Sequence, residues 1–198
     1  MKFILALICI CSAALLIYFQ YPKQVNSLEK PWPELGTMVH THNGVPIYSN
    51  GENYTISHGK HYATDGYYYG HKWQCVEYVK RYYHDAHQHH MPDVWGHAKS
   101  FFDPTLGHGE LNTPRGMVQY HNQGTEPPQV DDLLVWGSES SYGHVAIISK
   151  VEANSVTIVQ QNVKNRPTQK LSLTKSNNSY QLGEKSKKNL PLGWLRIP

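Results

Sequence analysis

Gly70-His71-Lys72-Trp73-Gln74-Cys75-Val76-Glu77-Tyr78-Val79-Lys80-Arg81 joins a loop rich in glycine and aromatics to an amphipathic stretch, with a cysteine at the join. From Cys75 onward, Val76, Val79, Tyr82, Tyr83 and Ala86 recur at helical spacing, which predicts a helix from about Gln74 to His87. Cys75 then falls in the first turn, where unpaired N–H groups and the positive end of the helix dipole favour a thiolate. A thiolate at neutral pH is the attacking group of a cysteine hydrolase. A small buried hydrophobe at a helix start is the other reading of a free cysteine, and position alone leaves both open.

Working outward, the 198 residues suffice for one domain with a real core. A hydrophobic content of 39% with 17% charged residues is that of a globular chain rather than a disordered one. The net charge of +3 and the lack of a basic run interleaved with aromatics argue against a nucleic-acid partner. Two of the three cysteines, Cys9 and Cys11, fall in the first apolar segment, so Cys75 has no partner for a disulfide within the folded part. That isolation favours the nucleophile.

Phe3 to Phe19 carries no charge, and only Ser12 in it is polar. At about 1.5 Å per residue it spans roughly 25 Å, a little short of a ~30 Å hydrocarbon core. Cleavage after Ser12-Ala13-Ala14 would leave Leu15-Leu16-Ile17-Tyr18-Phe19 exposed on the mature protein. We therefore expect residues 1–21 to be a membrane anchor or signal segment, uncleaved in the favoured case, with the domain exported. Residues 22–34, punctuated by Pro22, Pro31 and Pro33, read as a linker, and 35–198 as one domain.

Within that domain, two short strands are expected around a turn at Asn43-Gly44. Asp103 to Gln129, with many Gly, Pro and Asn residues, reads as mostly loop, and Lys164 to Lys188 as polar. Core strands are expected at 130–136, 143–151 and 156–162, the last two joined by a turn at Ala153-Asn154, with a final strand near 192–197. One cysteine-bearing helix followed by antiparallel strands is an α+β layout. His144 opens a core strand, where a polar side chain is costly unless paired. A core histidine bonded to a carbonyl explains it alone, but a helix-terminal cysteine followed by a histidine is the order of papain-type sites.

Gly70-His-Lys-Trp-Gln-Cys-Val-Glu-Tyr, Gly143-His-Val-Ala-Ile-Ile and Gln160-Gln-Asn-Val together resemble the CHAP family of cysteine amidohydrolases and peptidases. Within it they are most similar to the amidase domains of bifunctional glutathionylspermidine synthetase/amidases. Gly36-Thr37, Gly44-Val-Pro-Ile-Tyr-Ser and Leu192-Gly193-Trp194 extend the likeness over about Leu35 to Ile197. The resemblance implies a papain-like CHAP fold, a nucleophile-bearing helix packed on an antiparallel sheet. It makes Cys75 the nucleophile and His144 the base. A glutamate of those amidases aligns with Gln160. Glutamine lacks the charge that favours an imidazolium, yet its amide oxygen still accepts an imidazole N–H and fixes the tautomer.

The chemistry implied is amide hydrolysis through a thiol acyl-enzyme, with no cofactor. The backbone N–H of Cys75, together with Gln74, is the expected oxyanion site. Asp131 and Asp132 are expected to set a turn. His84, His87, His89 and His90 read as an exposed helix end rather than a metal site, for want of a nearby carboxylate or thiol. By resemblance the substrate is the glycyl–spermidine amide of glutathionylspermidine. The export segment favours peptidoglycan instead, and a catalytically dead, membrane-tethered binding module is the reading from outside the enzymes. Gln160 and His144 should lie on one face of adjacent strands, with the Gln160 oxygen near Nδ1. A regular hairpin centred on Ala153-Asn154 would put them on opposite faces, so a β-bulge or an irregular turn is required between Ser149 and Ser155.

Overall fold

Leu133-Leu134-Val135-Trp136 and Val145-Ala146-Ile147-Ile148 are apolar without alternation because both faces of their strands are covered. Leu133, Val135, Val145, Ile147, Val159 and Leu195 join one buried cluster. Leu134, Trp136, Ala146, Ile148, Ile158 and Trp194 join a second. A computed structural model describes residues 31–137, 142–164, 166–183 and 190–198. The expected anchor at 1–21, and the linker up to residue 30, lie outside the described residues. The unit that holds the site spans Trp32–Pro198. Among the described residues no helix is long and apolar enough to cross a membrane.

Among the described residues the structure is mostly antiparallel sheet with one α-helix. Strands β1 (Met38–His42) and β2 (Val45–Tyr48) form the expected hairpin. Its turn residues Asn43 and Gly44 have φ of 47° and 78°, the left-handed pair of a tight two-residue turn. A second hairpin, β3 (Lys60–Tyr62) with β4 (Tyr68–His71), leads into helix α1 (Cys75–His87). After a 3-10 turn at Ala98–Phe101 come β5 (Glu110–Asn112), β6 (Met117–His121), β7 (Leu133–Trp136), β8 (His144–Glu152), β9 (Ser155–Val159), β10 (Thr168–Ser176), β11 (Ser179–Leu182) and β12 (Pro191–Arg196). They make one eight-stranded sheet in the order β11-β10-β9-β8-β7-β12-β6-β5.

Four strands fall where loop or polar chain was expected. β5 and β6 lie within 103–129, and β10 and β11 within 164–188. β10 is largely exposed and polar, held by its ladder to β9 rather than by an apolar face of its own. β9 ends at Val159, so Gln160 to Asn162, expected inside the strand, lie just beyond it.

Helix α1 starts where the periodicity puts it, but its buried face differs from the one read from the sequence. Tyr78, Val79, Tyr82 and Tyr83 are buried and share the first cluster with Val145 and Ile147, whereas Ala86 is exposed and Val76 only partly covered. Glu77, Lys80 and Arg81 are buried as well, because the two hairpins cover the helix's other sides. Arg81 Nη1 donates to the Pro46 carbonyl on β2 at 2.8 Å, and Lys80 Nζ donates to the Tyr68 carbonyl on β4. β4 comes so close to α1 that a Cβ on Gly70 would lie 3.1 Å from the Glu77 Cα.

Candidate active site

Cys75 is the first residue of α1, and its side chain is buried at the sheet. Its sulfur faces the backbone N–H groups of Val145, Val76 and Cys75 itself. The first of these belongs to β8, so the start of the helix is set against the residue that follows His144. Gly143, just before His144, is packed tightly against Trp136 and Lys99. Its φ is 74°, and a Cβ there would lie 2.5 Å from the Trp136 carbonyl oxygen and 2.7 Å from the Lys99 nitrogen.

His144 opens β8 and pairs with Trp136, their rings 5.7 Å apart. Its Nε2 meets Gln160 Oε1 at 2.9 Å. The irregularity that the spacing demanded is present. Glu152 pairs with Ser155 around the Ala153-Asn154 turn, and the register slips between Ile148 and Lys150 before Ile148 pairs with Ile158. That slip restores Gln160 to the His144 face. The nitrogen engaged, however, is Nε2 and not the Nδ1 expected. From the first residue of β8, the far end of the ring spans the gap to the neighbouring segment.

The Gln160 amide cannot rotate to offer its nitrogen instead, since Nε2 donates to the Arg166 carbonyl at 3.0 Å. An amide oxygen only accepts, so His144 Nε2 carries the ring proton and Nδ1 holds the free lone pair. A cavity of ≈ 300 Å³ opens beside this pair, with Trp136, Arg166 and Lys170 in its lining.

The electrostatics differ from the expected thiolate. Burial pushes the Cys75 thiol up to about 11, outweighing the three N–H groups that favour its anion. Burial also lowers His144 below the ordinary imidazole value, a shift that the Gln160 bond partly offsets. At neutral pH the resting pair is therefore thiol and neutral imidazole. Among the described residues no hydrogen bond joins the two.

Gln74 caps α1 through its backbone, and its side chain is already committed. Its Nε2 donates to the carbonyls of Tyr54 and Ile56 at 3.2 and 3.0 Å, and its Oε1 accepts from Asn162 at 2.7 Å. Both ends of the Gln74 side chain are thus engaged, by the carbonyls of Tyr54 and Ile56 and by Asn162. Asp131 and Asp132 do set a turn: Asp131 has φ of 71°, and Asp132 pairs with Arg196 at 2.8 Å.

The positioning residues missed in the sequence are Gln161, Asn162, Glu77, His61 and Asn50. Gln161 Nε2 donates to the Gln74 carbonyl at 3.0 Å and to Glu77 Oε2 at 2.6 Å, tying the chain after β9 to the first turn of α1. Glu77 also meets Arg81 Nε at 2.6 Å and His61 Nδ1 at 2.8 Å. Asn50 donates to Asn162 at 3.1 Å and accepts from the Trp73 N–H at 3.1 Å. Three amide side chains in succession at the end of an apolar strand were the available signal.

The CHAP domain family matches residues 66–162. The glutathionylspermidine synthase of Crithidia fasciculata is 37% identical over 102 residues, 47% of this chain and 14% of that protein. The bifunctional glutathionylspermidine synthetase/amidase of Escherichia coli (strain K12) is 30% identical over 171 residues, 77% of this chain and 27% of that protein. The trypanothione synthetase of C. fasciculata is 25% identical over 164 residues, 78% of this chain and 25% of its own length. The chain thus spans roughly a quarter or less of the relatives it matches. The chain carries a CHAP domain, and the matched residues include Cys75, His144 and Gln160.

Proposed function

We propose that this domain is a papain-like cysteine amidase in which Cys75 is the nucleophile, His144 the base and Gln160 the residue that orients it. One observation carries the reading: the Cys75 thiol meets the Val145 N–H while the adjacent His144 is fixed by Gln160 in the tautomer with Nδ1 free. Because the resting pair is neutral, His144 Nδ1 takes the thiol proton as Sγ attacks the amide carbonyl. The Cys75 N–H stabilises the resulting oxyanion. The imidazolium then protonates the leaving amine, and the acyl-enzyme is hydrolysed by water that His144 activates. Gln160 supports this cycle by orientation alone, as a neutral amide does in papain-type sites.

Glutathionylspermidine, cleaved at its glycyl–spermidine amide, is the substrate we favour, on the strength of the likeness to the synthetase/amidase. The uncharged Phe3–Phe19 segment supports a second reading, an anchored and exported enzyme acting on peptidoglycan peptides. The full-length protein is expected to release spermidine from glutathionylspermidine, and Cys75→Ala and His144→Ala each to reduce turnover at least a thousandfold while melting at the wild-type temperature. Near-normal turnover by Cys75→Ala would exclude the thiol mechanism. Activity on peptidoglycan alone would select the second substrate, and inertness of the wild type on both would leave the binding module. A reporter fused after Pro198 is expected to be active only outside the cytoplasm, and activity in the cytosol would remove the export argument.

A further inference from the structure

The histidines at the end of α1 divide into two groups. His87 faces Asp131 at 3.7 Å, and His89 Nε2 bonds the Arg115 carbonyl at 2.9 Å. His84 and His90 turn instead toward Asp65, in the β3–β4 turn, which supplies the carboxylate that the sequence did not reveal. Asp65 Oδ2 lies 3.0 Å from His84 Nε2 and 3.5 Å from His90 Nε2. The three donor atoms all fall within 4.8 Å of one another. Ligands at about 2.0–2.2 Å from a tetrahedral zinc are separated by about 3.4 Å, so this spacing needs only small adjustments to close on an ion.

We propose that Asp65, His84 and His90 bind a divalent transition-metal ion of the zinc class, which clamps the β3–β4 turn to the C-terminal end of α1. Each donor is held from behind. Asp65 Oδ1 accepts the Tyr67 N–H at 2.9 Å, which directs Oδ2 at the histidines. His84 Nδ1 meets Asp85 Oδ1 at 2.7 Å, and Tyr69 donates to the same oxygen at 2.7 Å. A carboxylate behind an imidazole fixes the tautomer that presents Nε2 and raises its basicity as a ligand. The left-handed Gln88, with φ of 53°, folds the chain back so that the His90 ring sits 4.7 Å from that of His84. Tyr67 stacks on His84 at 5.3 Å and meets the edge of His90 at 5.0 Å, walling one side of the site. Asp65 and His90 are half exposed, so ions can enter and water can complete the coordination. His84 is nine residues beyond Cys75 on the helix, about 14 Å away, so the clamp is structural and stands apart from the thiol chemistry.

The test is titration of untagged, full-length, chelator-stripped protein with zinc chloride at pH 7.5, followed by calorimetry and thermal melting. One equivalent is expected to bind and to raise the melting temperature. Asp65→Asn and His90→Ala should weaken binding at least tenfold and remove the shift while keeping the metal-free melting temperature. Asp85→Asn should weaken it about 10- to 100-fold. His87→Ala and Cys75→Ala should leave binding unchanged. Absence of saturable binding, or equal binding by wild type and His90→Ala, would overturn the site. So would loss of the bound equivalent in Cys75→Ala, which would assign the metal to the thiol.

Discussion

In the proposed mechanism Gln160 offers His144 an amide where the related amidases are expected to offer a carboxylate, and the consequence falls on His144. The Gln160 oxygen holds Nε2–H at 2.9 Å but adds no negative charge. With burial lowering the imidazole and lifting the thiol to about 11, the proton rests on sulfur at neutral pH. The proposed base must be the neutral imidazole, so the acid limb of kcat/KM should fall below pH 6.5, the unshifted imidazole value. Gln160→Glu should raise the imidazole pKa, speed alkylation of Cys75 by iodoacetamide at pH 7, and hold or increase turnover. A hundredfold fall in a folded Gln160→Glu protein would mean that Gln160 does not orient the base. The places of Cys75 at a helix start and of His144 at a strand start were legible because both are local patterns. The choice of ring nitrogen and the neutral thiol were not, since both depend on groups such as Val145 and Arg166 that only folding brings near.

At the scale of elements, α1 has bounds that the sequence shows and a charge burial that it conceals. Glu77, Lys80 and Arg81 lie outside the apolar spacing of Val76, Val79, Tyr82, Tyr83 and Ala86, yet all three are buried beneath hairpins that pair upstream of the helix. Burial alone would raise the Glu77 carboxyl. The His61, Arg81 and Gln161 bonds outweigh it and hold the group below its ordinary value of 4.5. A carboxyl lowered in the folded state adds stability above the unfolded value, and that stability is lost as pH falls through the folded one. Glu77→Ala removes the partner of a buried guanidinium and should cost about 3–5 kcal/mol. Its thermal melts at pH 7 and pH 3 should also differ less than those of the wild type. An exposed-pair effect below 1 kcal/mol would contradict the buried network. β10 escaped the sequence reading for the converse reason: its pairing is in the backbone, and its side chains are largely polar and exposed. β11 escaped because it is only four residues long, although Gln181 and Leu182 in it are buried.

Over the whole molecule, two apolar clusters and the candidate site depend on one irregularity in β8. Ile147 pairs with Val159 in the first cluster and Ile148 with Ile158 in the second, and both pairings lie beyond the slip at Ser149. The slip was legible because direct opposition of His144 and Gln160 differs in register by an odd number of residues, three, from a hairpin centred on Ala153-Asn154, in a ladder whose faces alternate every residue. A sheet reads its chain in a frame of two, and Ser149 is the single-residue frameshift that brings the apolar sorting and the His144–Gln160 pair into phase together. The length of this hairpin, more than the residues in it, is then what must be preserved. Substituting Ser149 by alanine should leave activity within a few fold. Deleting it should lower the melting temperature and abolish turnover, although no group that touches the substrate has been altered.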